Sequence, residues 1–427
     1  MKTSRRQFFR LMGAGGALAL APWAGSSFAQ QGGAQPHVVV IGGGFGGATC
    51  AKYLRRFDPN IRVTLVEVND RYVTCPGSNW VLGGLRQISD ITQRFDALGK
   101  HGVEFVQARA TRIDPERRRV QLDNGQSLTY DRLVIAPGIG FDWDAVEGYS
   151  PQAAISMPHA WRAGLQTERL RKALEEMRDG GTFIMRVPPA PFRCPPGPYE
   201  RASMVAHYFK QHKPRSKILI LDSGESFSKQ GLFEAGWNEL YGDMIEWMPG
   251  SQGGQVTAVD ANTRTLRTDQ GDHRGDVVNF IPAQKAGEIA EQAGLTNEQG
   301  WCNVNQATFE SMVHPGIHVI GDASVAGAMP KSGHSANNQA KMTAAAIIAM
   351  MRDQEVPSPS HVNTCYSLVA PDYGISVAAV YRLENGSIAG VEGAGGVSPA
   401  DVGKDYREAE ARYTLGWYAS ITEDTWG

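Results

Sequence analysis

The chain has 427 residues, enough for two or three domains. Its formal net charge is −2, with 42 Lys+Arg against 44 Asp+Glu and no basic block or stripe, so nucleic acid is not an expected partner. Hydrophobic content of 42% and 49 glycines fit a globular α/β protein with many tight turns, and no apolar run after residue 30 reaches membrane-span length.

The first segment reads as an address. "SRRQFF" carries Arg5 and Arg6, the apolar stretch "LMGAGGALALAPWA" follows, and small residues at Ser27 and Ala29 suit a signal peptidase. Residues 1–29 therefore resemble a twin-arginine signal, which exports folded proteins, and the expected location is the periplasm. Folded export suits a protein whose cofactor is inserted in the cytoplasm.

Next, "HVVVIGGGFGGATCAKYLRRF" reads strand, glycine turn, helix, with the strand over His37 to Ile41. Gly42 permits the tight turn, Gly44 lets backbone approach a pyrophosphate, and Gly47 lets helix and strand pack closely. The positive end of the helix dipole then faces the phosphates. A second strand, "RVTLVEVN", ends near Glu67, where a carboxylate grips ribose hydroxyls. Two later segments select FAD for this site. "LTYDRLVIAPGIG" resembles the motif that returns the chain to the FAD domain in two-dinucleotide flavoproteins, and "HPGIHVIGDAS" resembles their C-terminal FAD motif, with Asp322 at the ribityl or phosphate part. "SGHSANNQAKMTAAAIIAMM" then reads as a helix whose N-terminus points at the flavin ring.

Residues 156–305 read as an insertion carrying a second βαβ unit. Its crossover should hold a phosphate-cradling glycine loop if NAD(P)H bound there. "VPPAPFRCPPGPYE" stands there instead. Six prolines, Pro188, Pro189, Pro191, Pro195, Pro196 and Pro198, offer no N–H donors and fill the space. NAD(P)H is not expected to bind there, and Asp222 at the end of the next strand is left as a vestige of the ribose position or a loop cap.

Five cysteines are too few for a disulfide scaffold, none forms C-x-x-C, and no His/Cys cluster has zinc spacing, so no metal is expected. Cys50 and Cys302 read as small core residues. Cys75, in "NDRYVTCPGSNWVLGG", falls on the loop that runs beside the flavin's dimethylbenzene edge in this fold, and can form a thioether to the 8α carbon. Cys194 is held rigidly by its prolines, and Arg193 and the following helix are expected to favour its thiolate. Cys365, in "HVNTCYSLVAPDYGISVAAVY", is the best candidate partner, although sequence alone leaves the pairing open. Alternation in "GISVAAVY" suggests sheet in a C-terminal domain.

Together, "IGGGFGGATCAKYL", "TCPGSNWVLGG", "APFRCPPGPYERAS", "KSGHSANNQAKMTAAAI" and "VNTCYSLVAPDYGISVAAVY" resemble the flavoprotein subunit of flavocytochrome c sulfide dehydrogenase, over essentially the whole mature chain. That resemblance implies an α/β fold of two Rossmann-like domains, the second inserted in the first, plus a C-terminal α+β domain over the flavin. The corresponding boundaries are residues 36–155 with 306–355, then 156–305, then 356–427. It also implies covalent FAD on Cys75, a redox disulfide matched by Cys194 and Cys365, a proton acceptor matched by Glu200, and a c-type cytochrome partner that takes the electrons from sulfide. Glu200 also reads as an ordinary acid in a helix's first turn. The competing readings are a membrane-surface sulfide:quinone oxidoreductase, an NAD(P)H-linked disulfide reductase, and a non-catalytic flavin-binding module. The charged tail "GKDYREAEARYTLGWYASITEDTWG" lacks the basic amphipathic face of a membrane-docking helix, and its aromatics Tyr413, Trp417, Tyr418 and Trp426 suit a lid or subunit interface.

Overall fold

The computed structural model describes residues 35–427, so the export signal with Arg5 and Arg6 lies outside the described residues. The first strand, β1 (His37–Ile41), is buried along its whole length. It leads through the glycine turn into α1 (Phe45–Phe57) and then β2 (Arg62–Glu67), matching the two strands expected from the sequence. Gly42 has φ +99°, and a Cβ there would stand 2.3 Å from the Ala136 carbonyl oxygen. A Cβ on Gly47 would come within 1.8 Å of the Gly42 carbonyl oxygen, so only glycine lets α1 pack this closely. After α2 (Ser78–Leu82) come β3 (Val103–Gln107), β4 (Arg132–Ile135) and β5 (Ile139–Asp142).

The inserted segment supplies β6 (Thr182–Val187), α3 (Gly197–His212), β7 (Lys217–Asp222), α4 (Gln230–Tyr241), β8 (Ile245–Met248) and β9 (Val277–Phe280). Its sheet runs β8-β7-β6-β9, parallel throughout. The chain then returns through β10 (Ala283–Ala286), which pairs antiparallel with β5, and reaches β11 (Ile317–Val319). The first sheet, β11-β4-β1-β2-β3, is also wholly parallel. Crossover helices cover such sheets, so the central strands read as apolar runs. Leu54 and Leu65 are fully buried here, each contributing about 1.5–3 kcal/mol by removal from water.

Helix α5 (Gly333–Met351) follows, its N-terminus capped by the Ser332 hydroxyl, which accepts from Ser335 N–H at 3.0 Å. The chain ends in an antiparallel meander, β12 (Ser360–Ala370), β13 (Tyr373–Glu384) and β14 (Ser387–Val397), crossed by the long helix α6 (Lys404–Trp426). The "GISVAAVY" alternation falls within β13. The aromatics of α6 divide. Tyr413 is exposed, Trp417 is half-buried, and Tyr418 and Trp426 are buried. Trp426 stacks on Tyr72 with centroids 5.3 Å apart and donates to the Gly43 carbonyl at 3.0 Å, so α6 is fastened to the glycine turn.

Candidate active site

A cleft of about 740 Å³ opens over the glycine turn, lined by Gly42, Gly44, Glu67, Cys75 and Asp322 among others. At the end of β2, Glu67 accepts from Gly43 N–H at 2.8 Å through Oε2 and from Asn69 through Oε1. Asp322 is buried, and its Oδ1 has no hydrogen-bond partner. A buried carboxylate oxygen left unpaired is costly unless a ligand completes it. Burial pushes the Asp322 carboxyl above its ordinary range, against the opposing pull of Arg193 and Lys331. The glycine cradle, the β2 acid and this orphaned oxygen fit an FAD: Gly42 and Gly44 would lie at the pyrophosphate, Glu67 at the ribose and Asp322 at the ribityl or phosphate part, while Gly47 lets α1 pack close to the turn.

The crossover of the second sheet has been filled from within. The Asp222 carboxylate accepts from Trp247 Nε1 at 2.9 Å, from Gly224 N–H at 2.9 Å and from the Tyr199 hydroxyl. The Tyr199 ring stacks on Phe227 with centroids 3.7 Å apart. The acid that would hold a ribose thus caps a loop and anchors aromatic side chains.

The proline segment delivers Cys194 elsewhere. Its φ is +58°, in the left-handed region uncommon for a side-chain-bearing residue. Its N–H donates to the Lys331 carbonyl at 2.7 Å, and its own carbonyl accepts from Gly197 N–H at 2.8 Å. The loop is therefore tied both to α3 and to the approach to α5. Cys194 lines a second, smaller cavity of about 70 Å³ together with Cys75, Glu200, His334, Cys365 and Trp417. Because Cys75 lines both cavities, the two adjoin there. Cys75 Sγ lies 3.6 Å from the Trp161 carbonyl oxygen.

All five cysteines stand as thiols in the structure, so Cys194 and Cys365 share a cavity without a bond between them. Cys50 and Cys302 are fully buried in apolar surroundings. The expectation that Arg193 would make Cys194 a ready thiolate needs correcting. Burial pushes the Cys194 thiol up, with Cys365 and Glu200 adding to the shift, and the opposing pull of Arg193 and Lys229 is smaller than each of these. The Arg193 guanidinium is occupied with the Trp161 carbonyl and with Asp322 at 3.6 Å. Burial also raises Cys365, opposed by Asn363, whose Nδ2 donates to Sγ at 3.4 Å, and by Lys229.

Glu200 is 8% exposed and accepts three hydrogen bonds: Asn79 Nδ2 at 2.9 Å, Trp80 Nε1 at 3.2 Å and Leu368 N–H at 3.0 Å. Asn79 is oriented in turn by Arg201, whose Nε donates to its Oδ1 at 3.0 Å. Sequence reasoning missed this pair and Lys229. Asn79 stood inside a quoted motif, "TCPGSNW", but nothing local announces a contact across to α3. Lys229 lies between β7 and α4, where only the docking of the third sheet gives it meaning.

Three family models match the chain. "Sulfide dehydrogenase [flavocytochrome c] flavoprotein chain, central" covers residues 167–282, "Flavocytochrome c sulphide dehydrogenase, flavin-binding" covers 357–426, and "Pyridine nucleotide-disulphide oxidoreductase" covers 36–160. A short stretch of 44 residues is 68% identical to the sulfide dehydrogenase [flavocytochrome c] flavoprotein chain of Chlorobaculum thiosulfatiphilum, covering 92% of that sequence and 10% of this chain. The chain belongs to the flavocytochrome c sulfide dehydrogenase flavoprotein family. The family's central region coincides with the proline-bearing second sheet, and its flavin-binding region with the meander and α6.

More distantly, the mitochondrial sulfide:quinone oxidoreductase of Mus musculus is 23% identical over 300 residues, 67% of this chain and 65% of that protein. The chain thus spans just under two thirds of that relative's length. The sulfide:quinone oxidoreductase structure from Aquifex aeolicus superposes with a TM-score of 0.70 at 20% identity, covering 92% of each chain. Putidaredoxin reductase, in its covalent complex with putidaredoxin, superposes at 0.64 and 18% identity, covering 92% of this chain and 94% of that one. The two superpositions show that the chain shares the overall fold of these proteins.

Proposed function

We propose that the chain is the flavoprotein subunit of a periplasmic sulfide dehydrogenase, oxidising hydrogen sulfide through Cys194 and Cys365 and passing electrons by way of FAD to a c-type cytochrome. The observation that carries this reading is the single cavity holding Cys194, Cys365 and Glu200, joined to the flavin cleft at Cys75. In the oxidised enzyme Cys194 and Cys365 form a disulfide. Hydrosulfide attacks Cys194 Sγ, the S–S bond breaks, and Cys365 leaves as a thiolate with the electron pair. The added sulfur stays on Cys194 as a persulfide. A carboxylate has about four acceptor positions. Trp80 and Leu368 occupy those on Glu200 Oε1 and Asn79 occupies one on Oε2, so the free position on Oε2 is where a proton from hydrogen sulfide is held. Bound FAD supplies a two-electron acceptor that can release electrons singly. A thioether from Cys75 would retain the cofactor in a compartment that cannot resupply it.

The quinone-linked relatives make quinone the rival acceptor. The deciding experiment is stopped-flow mixing of the purified flavoprotein with sulfide, then with a c-type cytochrome or with a soluble quinone. Bleaching of the flavin by sulfide followed by cytochrome reduction supports the proposal. Reoxidation by quinone alone would replace the cytochrome partner, and absence of bleaching would end the sulfide reading.

A further inference from the structure

Lys229 is buried, and it serves neither the flavin cleft nor the wall of the cysteine cavity. Its backbone is left-handed, with φ +63°, at the start of α4. From there its Nζ crosses to β12 and donates to the Cys365 carbonyl at 3.1 Å and to the Ser367 hydroxyl at 2.8 Å. Its ammonium lies over the Phe233 ring, 5.5 Å from the centroid. Both hydrogen-bond partners are neutral, and no carboxylate pairs with it among the described residues. A buried ammonium without a counter-ion is expensive to keep. The neighbouring charges do not cancel it. Arg193 is paired with Asp322, and Glu410, which also faces Lys229, is paired with Arg407 at 3.5 Å, while Arg201 sits among carbonyls, the side chains of Asn79 and Asn279 and the Trp161 ring, leaving Glu200 as the one uncommitted carboxylate for Arg201 and Lys229. The pocket behind the cysteines therefore holds one positive charge more than it neutralises.

We propose that Lys229 is a positioning residue whose ammonium is the standing counter-charge for an anionic Cys365, fixing that sulfur as the leaving group of the pair. When hydrosulfide attacks Cys194, the S–S bond breaks and its electron pair departs on Cys365, so negative charge develops beside the cation. Attack at Cys365 would instead expel Cys194, whose neighbour Arg193 is already committed to Asp322. The assignment rests on the sulfide-oxidising reading above, but the charge effect on Cys365 can be measured without it.

The groups that face Lys229 are Cys365, Glu200, Cys194 and Glu410, and those that face Cys365 are Cys194, Lys229, Glu200, Asn363, Ser332 and Tyr381. The test follows the pH dependence of iodoacetamide labelling of Cys365 in the folded, phosphine-reduced holoenzyme, read by peptide mass spectrometry, because the thiolate is the reactive form. Lys229→Met should move the Cys365 profile upward by about one pH unit, roughly tenfold slower labelling at neutral pH. Lys229→Arg should restore most of the reactivity. An unchanged profile in Lys229→Met, or an Arg variant no better than Met, overturns the proposal. If Lys229→Met does not fold, the unmutated protein still decides. Cys365 must ionise at lower pH than Cys194, and the reverse order refutes the assignment. Sulfide turnover is scored separately. A lysine-dependent profile in an enzyme that does not oxidise sulfide would retire the substrate and keep the role of Lys229.

Discussion

The molecule contains two parallel sheets with a crossover of the same design, and they have been put to opposite uses. In the first, glycines leave backbone N–H groups and an acid around a large cleft. In the second, prolines remove the donors, and Tyr199, Phe227 and Trp247 occupy the space beside Asp222. The strand, helix and acid persist in both. What separates a nucleotide site from a packed core is the residue type at a few turn positions, where one Cβ or one missing N–H decides whether a phosphate can approach. The second crossover, freed from that duty, presents Cys194 to the meander instead.

The contrast can be broken most severely at the first turn. Gly47→Ala would place a methyl 1.8 Å from the Gly42 carbonyl oxygen and drive α1 off β1. The expected result is a protein with flavin absorbance per chain reduced more than about tenfold, or one that does not fold. A normal flavin content would contradict the close approach. Next in size, Cys75→Ala should release flavin into the supernatant on acid precipitation while the unmutated protein retains it. Flavin still bound covalently in the variant would remove Cys75 from that role.

At the second crossover, Tyr199→Ala should cost about 3–5 kcal/mol in urea unfolding, as for other buried aromatics. It should not create flavin reduction by NADH, because the prolines still withhold the donors. NADH-dependent bleaching in either form would show that this crossover retains a nucleotide site. The smallest effect is on pH. His361 is pushed down to about 4 by burial, and His159 to about 3 by burial with nearby arginines. Both are held neutral when folded, so their stabilisation is complete above about pH 6.5, their ordinary value, and is lost as pH falls through that range toward 4. Melting temperature should fall progressively over that window, and His361→Gln should flatten the fall. A variant with the unaltered slope would assign the acid sensitivity elsewhere.

Local pattern was sufficient for β1, β2, the capped start of α5 and the strand containing "GISVAAVY", because strand burial and capping are written in consecutive residues. The two crossovers were also legible, since glycine and proline act on their own backbone. What escaped was set by packing between distant segments. Arg193 was judged by its adjacency to Cys194, but its side chain turns to Asp322 and burial governs the thiol. The Arg201–Asn79–Glu200 chain joins α2 to α3 across more than a hundred residues, and Lys229 reaches Cys365 only because the meander docks on α3 and α4. The α6 aromatics suited a lid or subunit interface, yet Trp426 is spent on the glycine turn.

That Cys194 and Cys365 work as one redox pair is tested most directly by non-reducing peptide mapping of air-oxidised holoenzyme, before and after stoichiometric sulfide. The prediction is a disulfide-linked pair of peptides containing Cys194 and Cys365, with Cys50 and Cys302 as thiols. After sulfide, the bridge should open to a persulfide on Cys194. Recovery of Cys194 and Cys365 as separate free thiols in the oxidised enzyme would contradict it.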